Sequence, residues 1–234
     1  NTNRPDSIIS HFRIWQNYEG DTFKGYLSIL VSDLYSSINF KQNLPSDFSN
    51  YYEYAKDCNA IYFSDQIKLH FIYAMFDSIK SKNNLSENKF AELMVSCIQD
   101  IPYTLILDDD CDSPKNYMLY GRKNYNCEGF VKFGMNTPIE FMDKLLGDCD
   151  TRTLFLFTVL THYNYDVVML ASNEYNHSII GINLPYDGTY KTFEGKRYYV
   201  WETTSVGFIP GKLPTELSDM NNWNVILPFK QLNQ

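Results

Sequence analysis

Hydrophobic and polar positions change their period part-way along the chain. From about residue 64 to residue 162 the apolar residues recur at helical spacing, and beyond that they alternate. In "SDQIKLHFIYAMFDSIKSK", Ile67, Phe71, Met75 and Ile79 share one helical face, with Ser64 as the predicted N-cap. "LSENKFAELMVSCIQDIPY" predicts a helix from Ser86 to near Ile101, because Pro102 disfavours helix at the residue before it; Phe90, Leu93, Cys97 and Ile98 form its apolar stripe. In "NTPIEFMDKLLGD", Thr137 is the N-cap, Pro138 takes the first helical position, Glu140 completes a capping box and Gly147 suits a stop. The next helix, "CDTRTLFLFTVLTHY", begins at once with Asp148 as N-cap. It is apolar on most sides from Leu154 to Leu160, which predicts burial.

After that helix, "YDVVMLAS", "HSIIGINL" and "RYYVWETT" read as strands. The turn "NEYN" joins the first two into a hairpin, and a longer loop, "PYDGTYKTFEGK", joins the second to the third. Near the start, "WQNYEGDTFKGYLSIL" reads as a hairpin-like entry with Gly20 and Gly25 as turn points, and "LPSDFSN" as a loop. "DDDCDSPKNYMLYGRKNYNCEG" reads as a long polar loop. Helices first and an antiparallel sheet afterwards make an α+β pattern.

Composition narrows the function classes. Hydrophobic residues make up 44% and charged residues 21%, enough to bury a core. The formal net charge of −8 argues against a nucleic-acid partner, and no apolar run is long enough to span a bilayer. The chain starts at Asn1 rather than Met, so either a targeting segment is removed or the chain was trimmed. The five cysteines, Cys58, Cys97, Cys111, Cys127 and Cys149, form no CxxC pair and the histidines are scattered, which argues against structural zinc. Cys111 and Cys127 flank the polar loop and can form a disulfide, though spacing alone does not establish one. Cys97 reads as core and His70 as a partly exposed helical histidine. Asp108, Asp109, Asp110 and Asp112 lack the spacing of an EF-hand loop and read as a solvated turn.

One cysteine is placed differently. Cys149 occupies the first position of its helix, where unpaired N–H groups favour a thiolate and should lower the thiol pKa. A nucleophile needs a base, and the base an orienting group. His177 opens the second strand and Glu202 lies near the end of the third. An antiparallel register with His177 opposite Glu202, and hence Ile182 opposite Arg197, puts the imidazole and carboxylate side by side on one face. Taken singly, each residue has a plain reading: a core cysteine, a satisfied strand histidine, a solvated glutamate.

These residues also carry a resemblance. "NTPIEFMDKLLGDCDTRT", then "HSIIG", then "YYVWETT" resembles the transglutaminase-like superfamily of papain-type cysteine enzymes, and the helix before "GDC" resembles the bacterial transglutaminase-like cysteine peptidases. "CIQDIPY" is similar to an upstream segment of that family, and the match covers roughly residues 86–206. The resemblance implies a papain-like α+β fold: N-terminal helices with a central cysteine helix packed on an antiparallel sheet. It implies an extension over 1–57 and a catalytic domain over 58–234. Cys149 resembles the nucleophile, His177 the base and acid, and Glu202 the orienting acid, usually Asp in the family. Gln99 is the candidate oxyanion donor. The family's His-x-Trp is absent here, since Ser178 and Ile179 follow His177.

The implied reaction is cysteine-dependent acyl transfer on a peptide or protein substrate. Hydrolysis is favoured over transglutaminase cross-linking, with no cofactor required. A calcium-dependent branch of the family points to Asp148 and Asp150 as calcium ligands. The compartment implied is the cell envelope, periplasm or exterior of a bacterium. The rival from another class is a non-catalytic peptide- or glycan-binding module whose groove Tyr163, Tyr175, Tyr198, Tyr199 and Trp201 would line.

Overall fold

The computed structural model describes residues 6–45, 50–113 and 126–229. Among these, six helices and a five-stranded antiparallel sheet form an α+β structure. The chain opens with an antiparallel hairpin, β1 (Ile8–Gln16) and β2 (Thr22–Leu30). Helices α1 (Val31–Gln42), α2 (Tyr51–Asp65), α3 (His70–Asn83) and α4 (Glu87–Gln99) follow. After α5 (Pro138–Lys144) and α6 (Cys149–His162) comes the main sheet. Its strands are β5 (Val167–Ser172), β6 (His177–Ile182), β7 (Tyr190–Phe193), β8 (Lys196–Trp201) and β9 (Asn224–Pro228), in the spatial order β7-β8-β6-β5-β9. No helix among the described residues is long and apolar enough to cross a membrane.

Local signals set several boundaries as expected. Ser86 accepts from the Lys89 N–H to cap α4. Thr137 and Glu140 form a reciprocal capping box on α5, with Pro138 at its start. Asp148 caps α6, which is buried along nearly its whole length.

Elsewhere tertiary contacts override the local pattern. The single helix expected from Ser64 is two helices, broken at Gln66–Leu69, so Ser64 lies inside α2 and caps nothing. Asp65, at the end of α2, is buried and accepts from the Ser37 hydroxyl and the Ile139 N–H at the start of α5. After that break, α3 buries Ile72, Tyr73, Phe76 and Ile79, while Ile67 is exposed. His70 opens α3 and is exposed. Gly20 does turn the first hairpin, with φ +88°, but Gly25 lies within β2. A Cβ there would sit 2.4 Å from Met75 Sδ, so Gly25 lets α3 approach the hairpin.

The hairpin contributes Trp15, Phe23, Leu27 and Ile29 to the same buried cluster as α3, α4 and α6. The boundary expected between 57 and 58 falls inside α2. The loop expected between the second and third strands of the sheet contains β7, which pairs with β8. Two short strands, β3 (Thr104–Ile106) and β4 (Asn126–Glu128), pair in parallel beside the polar segment. The Cys111–Cys127 disulfide joins the same region, with Cα atoms 6.2 Å apart. Residues 114–125 of the expected long loop and 46–49 of "LPSDFSN" lie outside the described residues.

Candidate active site

The "GDC" stretch has a packing reason at each position. A Cβ on Gly147 would lie 2.8 Å from Phe141 Cε2 and 2.9 Å from Thr151 Cγ2, so only glycine passes between α5 and α6 there. Asp148 turns its carboxylate onto the Thr151 N–H at 3.0 Å. Cys149 is then the first residue of α6, and the Ser178 backbone N–H lies near enough to its sulfur to favour the thiolate. Ser178 is the residue next to His177.

His177 opens β6 and pairs with Ser172 at the mouth of the β5–β6 hairpin. Its Nε2 lies 2.9 Å from Glu202 Oε2. The other carboxylate oxygen of Glu202 accepts from the Thr203 N–H (2.9 Å), the Thr204 N–H (2.8 Å) and the Thr204 hydroxyl (2.6 Å). Burial alone would raise the Glu202 carboxyl pKa. The hydrogen bond and charge of His177, with the Thr204 donors, more than offset it and hold the carboxyl below its usual range. The edge of the Trp223 ring packs against the imidazole at 6.0 Å between centroids.

The strand register differs from expectation. Ile182 pairs with Tyr199 rather than Arg197, and Ile180 with Trp201. Glu202 follows directly after β8, and that register carried on past the paired residues would set it two positions from the residue facing His177, not directly opposite. A shift of two residues preserves the face on which side chains project, so the pair survives it. The long arm of glutamate spans the diagonal.

Cys149 and His177 are not bonded to each other. No hydrogen bond joins the sulfur to the ring, and Nδ1 of His177 has no partner among the described residues. Cys149 lines a cleft of about 210 Å³ walled by Tyr103, Leu105, Leu107 and Phe133. His177 lines a second cleft of about 350 Å³ with Tyr51, Tyr54, Asn173 and Ser178. Asp150 and Asn176 belong to both and form the seam between them.

The expected lowering of the thiol pKa is reversed in this arrangement. Cys149 is only 7% exposed. Burial first, then the Asp150 and Asp148 carboxylates, push its thiol well up, and the Ser178 N–H pulls the other way. Burial first, then Asp150, push the Asp148 carboxyl up as well.

The two carboxylates named as calcium ligands take hydrogen bonds from the protein. Asp148 caps its own helix, and Asp150 accepts from the Tyr54 hydroxyl at 2.9 Å and from the Ser178 hydroxyl. Among the described residues no three His, Cys, Asp or Glu side chains gather as a metal-holding group. Both carboxylates thus accept from protein donors.

Gln99 is not positioned as an oxyanion donor. Its side-chain nitrogen donates to the Glu202 carbonyl at 2.6 Å and the Phe208 carbonyl at 3.0 Å, and it borders a different cavity, with Trp15 and Tyr18. It fixes the main chain of the acid residue instead. Of the aromatics expected in a binding groove, Tyr198 and Trp201 are buried in the core.

Arg152 was overlooked in the sequence. It is fully buried one turn after Cys149. Its guanidinium donates to the carbonyls of Gly147, Ile98, Ile101, Pro102 and Thr203. Those bonds tie the cysteine helix to the end of α4 and to the segment after Glu202. Burial pulls the guanidinium down to about 10, so it remains charged at neutral pH. A lone arginine in an otherwise apolar helix was the available signal.

No family model, curated protein or solved structure matches this chain.

Proposed function

We propose that this chain is a cysteine-dependent acyl-transfer enzyme, acting as a peptidase or amidase through Cys149, His177 and Glu202. The observation that carries this reading is the His177–Glu202 bond, anchored by three further donors on Glu202, beside a helix-terminal cysteine. The resemblance to transglutaminase-like cysteine peptidases supports the same roles and a papain-like arrangement of helix and sheet. The disulfide suits an oxidising compartment such as a cell envelope or exterior.

The surroundings of Cys149 favour a neutral thiol at rest. His177 therefore acts as a general base during attack, not as the partner of a preformed thiolate. Nδ1 takes the thiol proton as sulfur bonds to the amide carbonyl carbon. The tetrahedral oxyanion faces the unpaired N–H groups at the start of α6. Nδ1 returns the proton to the leaving amine as the C–N bond breaks, which leaves a thioester. Water, deprotonated by the same nitrogen, releases the acid and restores the thiol.

Site-resolved iodoacetamide labelling at neutral pH tests the assignment. Cys149 should label before the buried Cys58 and Cys97, and His177→Ala should slow that labelling by about 100-fold. Equal rates at Cys149 in the two proteins would remove the base role. The burial of Cys149 favours one other reading, a non-catalytic peptide-binding module on the same architecture, in which Cys149 stays inert while peptide binding persists. Offering a glutamine peptide with a fluorescent amine separates hydrolysis from cross-linking.

A further inference from the structure

Asn176 is the last residue of the turn between β5 and β6, immediately before His177. Its φ is +45°, in the left-handed region. Asparagine tolerates that conformation, and glycine adopts it more freely. The turn therefore requires the backbone shape but not an amide.

That amide sits where the two clefts meet, a position shared only with Asp150. Oδ1 of Asp150 already accepts from the Tyr54 and Ser178 hydroxyls. Neighbouring turn groups are also used: the Tyr175 N–H donates to the Ser172 hydroxyl, and the Asn173 N–H to the Tyr51 hydroxyl. The side chain of Asn176 is exposed and has no hydrogen-bond partner among the described residues. It offers two donors and one acceptor, the complement of a peptide backbone.

We propose that Asn176 is the substrate-orienting residue of this site, its side-chain amide hydrogen-bonding the backbone of an extended peptide laid across the seam from the Cys149 cleft to the His177 cleft. The proposal rests on the acyl-transfer reading and adds the peptide main chain as the recognised group. Asn176 holds the peptide, and the scissile carbonyl is thereby presented to the sulfur.

Two alkylating reagents applied to the full chain test it. Iodoacetamide offers no peptide backbone, whereas a dipeptidyl chloromethyl ketone does. Asn176→Gly keeps the turn and removes the amide; Asn176→Asp keeps the outline and removes the donors. In both variants the ratio of the chloromethyl ketone rate to the iodoacetamide rate at Cys149 should fall about tenfold, with the melting temperature held. An unchanged ratio overturns the role of Asn176 and leaves the acyl-transfer reading intact. If Cys149 of the unsubstituted chain reacts with neither reagent, both are overturned.

Discussion

His177 Nε2 and Glu202 Oε2 stand 2.9 Å apart, just beyond the paired residues of β6 and β8 and two positions off the facing register. A diagonal contact needs reach, and glutamate has one methylene more than aspartate. Glu202→Asp should therefore separate the pair while keeping the charge. We expect turnover, or Cys149 labelling if no substrate is in hand, to fall about tenfold or more in Glu202→Asp. It should fall further, by about 100-fold, in Glu202→Ala. Equal rates in the aspartate variant and the unsubstituted chain would show that reach is irrelevant.

The same carboxylate makes stability depend on pH. Its folded pKa lies below the usual value, so the unfolded chain binds its proton first as pH falls. The stabilisation is complete above the usual carboxylate pKa of about 4.3 and is lost as pH drops through the folded value. Melting temperatures of the unsubstituted chain and Glu202→Gln should differ at neutral pH and converge in acid. A gap that widens in acid would reverse the sign.

Asp150 is the leading electrostatic reason, after burial, for the raised Cys149 thiol. Asp150→Asn retains an oxygen to accept from Tyr54 and Ser178 while removing the charge. The apparent thiol pKa should drop, and iodoacetamide labelling at fixed neutral pH should accelerate several-fold. The measurement is the pH profile of Cys149 alkylation, and an upward move of its midpoint would contradict the assignment.

Arg152 ties five backbone carbonyls together beneath the site. Arg152→Met leaves buried carbonyls without donors, a loss of about 3 kcal/mol or more. In a chain of this size that lowers the melting temperature by roughly 6–12 °C. Arg152→Lys should recover only part of it, because an ammonium cannot reproduce the planar fork. Full recovery by lysine would mean that charge alone matters.

The Cys111–Cys127 bridge closes a segment of sequence separation 16 next to the wall of the Cys149 cleft. Constraining the unfolded chain over such a loop contributes about 3 kcal/mol. Thermal melts with and without reductant should differ accordingly, and a Cys111→Ser, Cys127→Ser double variant should melt with the reduced protein and lose its response to reductant.

Sequence legibility followed the range of the interactions. The capping box at Thr137, the cap at Asp148 and the start of α6 at Cys149 were readable because each depends on residues within one turn. The ladder register was not, because β7 sits inside the connection from β6 to β8 and pairs with β8, which lengthens the connection in a way that hydrophobic alternation does not reveal. Even so, the face was right, since the alternation fixes odd from even positions. The partners of the Gln99 amide, Glu202 and Phe208, were not legible because they are more than a hundred residues away in the chain.

By itself the sequence determined that helices precede an antiparallel sheet, that a cysteine stands at a helix start, and that a histidine and a glutamate share a sheet face. Periodicity and capping decide these, and both act over a few residues. The tertiary structure alone decided the diagonal register, the break between α2 and α3, the arginine beneath the site and the raised thiol. Each of those follows from burial and from partners distant in sequence, and desolvation has no local signature in a chain of letters.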